Sequence, residues 1–187
     1  MMMNEADLGG GGDSVVEYIR YTPAANAWIV DGEEFQMESF LLDPTSLKIG
    51  WGLIQKGESP SWVWEEKIGE KKVAKPTPEY KRGFSVMVQL KDKKWREWSS
   101  NGWGVFQGFQ RMWTEVVKDK TQNQGKSVLL KYTGSEADSK GKGMTRLPLF
   151  EIVGWYETKD KPPVKEEPIV EEDTNAARGL VDDEIPF

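Results

Sequence analysis

Apolar and polar positions alternate by twos in several segments of this chain, and in one segment the period lengthens to that of a helix. Residues 15–21 are rich in β-branched and aromatic side chains and stop at Pro23, which predicts a strand. Residues 27–30 predict a second, ended by Asp31-Gly32, a dipeptide that favours tight turns. Residues 35–42 predict another, with Phe35 and Met37 on one face. Residues 47–54 alternate apolar with small or polar positions, and Gly50 and Gly52 predict a bulge or sharp coil there. Residues 61–64 form a short run, and the Lys- and Pro-containing stretch 65–81 reads as a mobile loop. The clearest strand is 83–90, where Phe84, Val86 and Val88 recur by twos. A basic turn at Asp92-Lys93-Lys94 leads into Trp95-Arg96-Glu97-Trp98.

Between about residues 104 and 118 the period changes. Val105, Phe109, Met112 and Val116 are spaced four, three and four apart, the signature of one helical face, with Ser100 or Asn101 as candidate caps. Strands at 127–133 and 147–157 follow, separated by a Gly/Lys/Ser loop at 134–143. Several strands, one helix and two more strands match the order of the oligonucleotide/oligosaccharide-binding (OB) fold, in which a helix sits between the third and fourth strands of a small barrel. A different α+β sheet with one covering helix fits the same order. The expected fold is therefore mainly β: an OB-fold-like five-stranded barrel with one α-helix, extended loops (insertions at 31–47 and 55–82) and a disordered acidic C-terminal tail. A flexible N-terminus spans 1–14, the folded domain 15–157 and the tail 158–187. Residues 158–181 of the tail have almost no large apolar residues with which to build a core.

Composition narrows the chemistry. The 187 residues contain neither cysteine nor histidine, which excludes disulfides, thiol nucleophiles, Cys/His zinc sites and an imidazole base. No stretch has the ~20 apolar residues of a membrane span. Nine tryptophans are more than a core of this size readily holds, because indole is large and its N–H needs a partner. Trp113, Trp28 and Trp155 fit core positions. Of Trp62, Trp64, Trp95 and Trp98, at least two are expected to face a ligand. The net charge of −6 is unevenly spread: residues 1–47 hold one basic residue against nine acidic, whereas 48–146 hold 20 basic against 11 acidic. A basic middle between acidic ends suits a polyanion-binding domain.

Two basic-aromatic clusters stand out. One interleaves Lys91, Lys93, Lys94 and Arg96 with Trp95 and Trp98; in a strand those two indoles face opposite ways. The other joins Trp51, Trp62 and Trp64 to Lys48, Lys56 and Lys67, with Lys71, Lys72, Lys75, Lys81 and Arg82 placed to follow a phosphate backbone. Cations and flat rings together satisfy single-stranded nucleic acid without reading its sequence. The candidate single-strand contacts are thus Trp51, Trp62, Trp64, Lys71, Lys72, Lys81, Arg82, Lys93, Lys94, Trp95, Arg96 and Trp98. The Gly102-Trp103-Gly104 and Gly125-Lys126-Ser127 segments lack the spacing of nucleotide-binding loops. The acidic pairs Glu33-Glu34 and Glu65-Glu66 are adjacent, so in a strand their carboxylates diverge rather than share a metal.

The chain ends Asp182-Asp183-Glu184-Ile185-Pro186-Phe187, three carboxylates followed by an apolar hook that suits a pocket rimmed by Lys or Arg. This ending closely resembles the acidic tip of bacterial and many phage single-stranded DNA-binding proteins. In that family an OB domain and a disordered linker end in Asp-Asp-Asp-Ile-Pro-Phe or a near variant; here Glu184 keeps the charge of the third Asp. The resemblance covers six residues. It implies sequence-independent binding and protection of single-stranded DNA during replication, recombination and repair, with Asp182 to Phe187 recruiting partner enzymes. It implies no catalysis and no cofactor, and action in the cytoplasm of a bacterial cell or phage-infected host. The Gly/Gln-rich linker of bacterial members is missing, which points to a divergent, phage-type member and leaves the oligomeric state open. A recombination mediator or annealing protein would use the same surface. An adaptor would use the tip alone.

Overall fold

Residues 16–138 and 145–162 are described by the structure, a computed structural model. The expected tip at Asp182–Phe187, nearly all of the tail and the N-terminal lead lie outside the described residues. Within them, nine strands and one long helix form around a single apolar layer. Strand β1 (Glu17–Thr22) turns inward Ile19 and Tyr21 and pairs with β2 (Ala27–Val30). The Asp31-Gly32 turn has φ of 52° and 83°, the left-handed pair that a tight hairpin requires, and leads into β3 (Glu33–Phe35).

Strand β4 (Ser39–Leu53) organises the rest. Its first part pairs with β8 and β6, and its second with β6 and β5. A register shift between Asp43 and Lys48 lets it do so. Before the shift Phe40 and Leu42 face the core; after it Leu47 and Ile49 do, so the strand bends without losing its apolar face. Local bonds hold the irregular stretch: the Asp43 carboxylate accepts from the Thr45 N–H and hydroxyl, and the Ser46 hydroxyl donates to the Asp43 carbonyl. The expected insertion at 31–47 is therefore part of the sheet, and the bend lies at 43–48 rather than at Gly50 and Gly52.

The remaining elements are β5 (Ser61–Trp64), β6 (Lys81–Gln89), β7 (Trp95–Ser100), α1 (Trp103–Lys120), a short 3-10 turn at Thr121–Asn123, β8 (Ser127–Asp138) and β9 (Thr145–Tyr156). The sheet runs β3-β2-β1-β7-β6-β4-β8-β9, with β5 paired to β4 beside that path. The β1–β7 pair alone is parallel. Strands β4, β6, β7, β8 and β9 keep the expected five-strand order, with α1 between the third and the fourth. The sheet stays a curled, open half-barrel, because β1 occupies the edge of β7.

Helix α1 buries Val105, Phe106, Phe109, Met112 and Val116, the face its spacing predicts. Gly104 and Gly108, one turn apart, let it press on β9: a methyl group at either would collide with Thr145 or Pro148. The helix starts at Gly102 and has no side-chain cap. Ser100 and Asn101 are engaged otherwise, the Ser100 hydroxyl accepting from the Gly102 N–H at 3.1 Å. At the centre of the core, Trp98 touches Trp28, Phe40, Phe84, Phe109 and Phe150 with ring centroids 5.0–5.8 Å apart. Burying one such indole contributes roughly 4–6 kcal/mol by area.

Candidate nucleic-acid interface

Strand register decides which of the candidate residues meet. Gly50 is opposite Trp64 and Gly52 opposite Trp62, so both indoles stand on the face that carries Gly50 and Gly52. On the other side of β4, Gly50 is opposite Gly83, Gly52 opposite Lys81 and Lys48 opposite Ser85. Three glycines thus form a side-chain-free floor, and Trp62 lies over it. A methyl group at Gly52 or Gly83 would strike the Trp62 ring, and one at Gly50 would strike the backbone of β5. The glycines of β4 are there for clearance.

Trp62 and Trp64, two residues apart on one strand face, stack on each other with centroids 4.4 Å apart and planes 9° from parallel. Both are half-buried. The Lys48 ammonium sits 6.0 Å from the Trp64 ring, and Lys81 is exposed across from Gly52. Near the same edge, the Ser61 and Tyr80 hydroxyls are 3.0 Å apart. Flat rings and ammonium groups on a smooth floor offer a base a π-face and a phosphate a cation.

The same register removes Trp51 and Arg82 from this platform. They lie opposite each other and share the face of Ile49 and Phe84, the core side. Trp51 is a clamp: its Nε1 donates to the Val73 carbonyl at 2.8 Å, and its ring lies 5.5 Å from both Lys75 and Arg82. Arg82 is paired with the buried Glu65. These contacts tie the loop between β5 and β6 to the sheet, and Lys71 and Lys72 stand exposed on that loop beside Val73. Trp51 and Arg82, both half-buried, thus hold the loop and stand off the face that carries Trp62 and Trp64.

The second cluster lies at the far end of the β6–β7 hairpin. Gln89, the partner of Trp95, is six residue steps along β6 from Gly83, so about 20 Å divides this cluster from the Trp62 floor. Lys93 and Lys94 are exposed at the hairpin tip. Trp95 is half-buried on the face opposite Trp98, as alternation predicts, and its Nε1 donates to the Asp160 carbonyl at 3.2 Å. Two expected contacts are corrected. Trp98 is 0% exposed and sits in the core, so no ligand reaches it. Arg96 is buried among three carboxylates: Asp92 at 2.7 Å, Asp31 at 3.2 Å and Glu17 at 3.3 Å. The hydrogen bond from Arg96 holds the Asp92 carboxyl below its ordinary range, and the same bond raises the guanidinium further. That charge is spent inside the fold.

Trp28 is buried, and Trp113 and Trp155 pack against the core as expected. Missed by sequence reasoning is the glycine floor. Its signal is the alternation of Gly50 and Gly52 across from two indoles spaced by two, legible only once β4 and β5 are paired. Among the described residues no helix is long and apolar enough to cross a membrane. Comparison with protein-family models, with curated proteins and with solved structures finds no match to the chain.

Proposed function

We propose that this protein binds single-stranded DNA with little sequence preference, protects it during replication, recombination or repair, and recruits partner enzymes through its C-terminal tip. The observation that carries the reading is the Trp62–Trp64 stack over a floor of glycines with Lys81 beside it. Bases stack on the exposed ring surface, and the backbone phosphates meet Lys81, Lys48 and the loop lysines Lys71 and Lys72. Every base has a π-face, so such a platform discriminates little among sequences. A half-barrel with the strand order of the OB fold supports the same reading. The recruiting role of Asp182 to Phe187 rests on the family resemblance of those six residues, and so does action in the cytoplasm of a bacterial cell or infected host.

The test is intrinsic tryptophan emission titrated with poly(dT), with duplex DNA and single-stranded RNA as controls. Binding on the platform quenches Trp62 and Trp64 with poly(dT) and leaves emission nearly unchanged with duplex. An unchanged spectrum with saturating poly(dT) overturns the proposal, and an equal response to RNA removes the preference for DNA.

A further inference from the structure

Trp103 is the most exposed tryptophan of the described residues, 52% accessible at the first position of α1. It takes no part in the buried face of that helix. Yet the backbone around it is held firmly. Asn101, just before, donates from Nδ2 to the Gly52 carbonyl at 3.0 Å, reaching from the end of β7 to β4 past the strand between them. The Gly102 N–H is held by Ser100, and Gly104, just after, is pressed against Thr145 and the Arg146 carbonyl. An indole left half in water on a rigid support adds less to folding than a buried one. It loses little freedom when a flat ligand covers it, which is the condition for efficient stacking.

Gly52 is the meeting point. Its carbonyl takes Asn101, its α-carbon lies under Trp62, and its partner on β6 is the exposed Lys81. Two backbone steps of 3.80 Å put the Trp103 α-carbon no more than about 7.6 Å from that of Asn101. The first turn of α1 carries no acidic residue to repel a phosphate. We propose that Trp103 is a second base-stacking platform, so that a bound strand runs from the Trp62–Trp64 pair past Lys81 onto the start of α1. The inference rests on the single-strand-binding reading and adds to it a direction of travel across the sheet.

The experiment compares wild type, Trp103→Ala, Trp103→Phe and Trp62→Ala by fluorescence anisotropy. The probes are labelled oligo(dT) of about 4 to about 16 nucleotides, the range of OB-domain sites, at one salt concentration. Trp103→Ala is expected to keep the wild-type melting curve and to weaken the longest oligomers by about 5- to 150-fold, the worth of one base stack. Trp103→Phe restores most of that loss, and the shortest oligomers bind both variants as they bind wild type. If Trp103→Ala matches wild type at every length while Trp62→Ala loses affinity, the second platform is overturned and the proposed function stands. If wild type binds no oligo(dT), both fall.

Discussion

Removing one ring of the Trp62–Trp64 stack separates a binding platform from ordinary packing. In Trp64→Ala the 4.4 Å stack loses a partner, and aromatic pairs of this kind stabilise by about 0.5–1.5 kcal/mol beyond area. Trp64 is half-buried rather than enclosed, so little cavity cost is added, and the total loss of stability is about 1–2 kcal/mol. The loss in binding is of another order. A base stacked on the ring is worth about 1–3 kcal/mol, or about 5- to 150-fold in Kd for oligo(dT). Trp62→Ala loses affinity similarly and also uncovers the backbone at Gly52 and Gly83, so its stability falls further. Because the two rings touch, the double variant loses less affinity than the two single losses combined. The assay is anisotropy with oligo(dT) at fixed salt, since affinity for a polyanion varies steeply with salt, alongside urea unfolding of each variant. Single variants that lose stability but bind within about twofold of wild type refute the reasoning, leaving the stack as packing.

Trp98→Ala, by contrast, costs about 3–5 kcal/mol of unfolding free energy in urea and leaves oligo(dT) affinity unchanged where the variant is folded; weakened binding at unaltered stability contradicts its core assignment. Lys81→Ala weakens binding evenly across base sequences and lowers the log–log salt slope by about 0.7, the share of one phosphate on a single strand, and an unaltered slope in a salt titration counts against that contact. Asp92→Asn tests the buried Arg96 cluster. The Asp92 carboxyl is held low in the fold, so its contribution is fully present above the unfolded value and is lost as pH falls through the folded one. Asp92→Asn is accordingly less stable than wild type near neutral pH, by about 1–2 kcal/mol because the Asp92 side chain is 44% exposed and Asp31 and Glu17 remain on Arg96. The gap narrows as pH falls below 3.8, and thermal melts between acid and neutral pH that stay parallel for the two proteins overturn the assignment.

The sequence alone located most strands and the helix, because a period of two or of 3.6 is a property of neighbouring residues. Ala27–Val30 and Ser61–Trp64 occur where alternation places them, and the helix spans Trp103–Lys120 around the predicted apolar face. The alternation also placed Trp95 and Trp98 on opposite faces. Which of them is core was decided by β6, where Val86 lies opposite Trp98. The same division runs through the binding surface. Trp51, Trp62 and Trp64 look equivalent along the chain, yet the pairing of β4 with β5 and β6 puts two of them over a glycine floor and the third against a loop. Arg96 reads as a free cation until residues 17, 31 and 92 supply its carboxylates. Local pattern sets what each segment is, since it depends on adjacent side chains. Register between distant strands sets what each side chain meets, and that belongs to the tertiary structure.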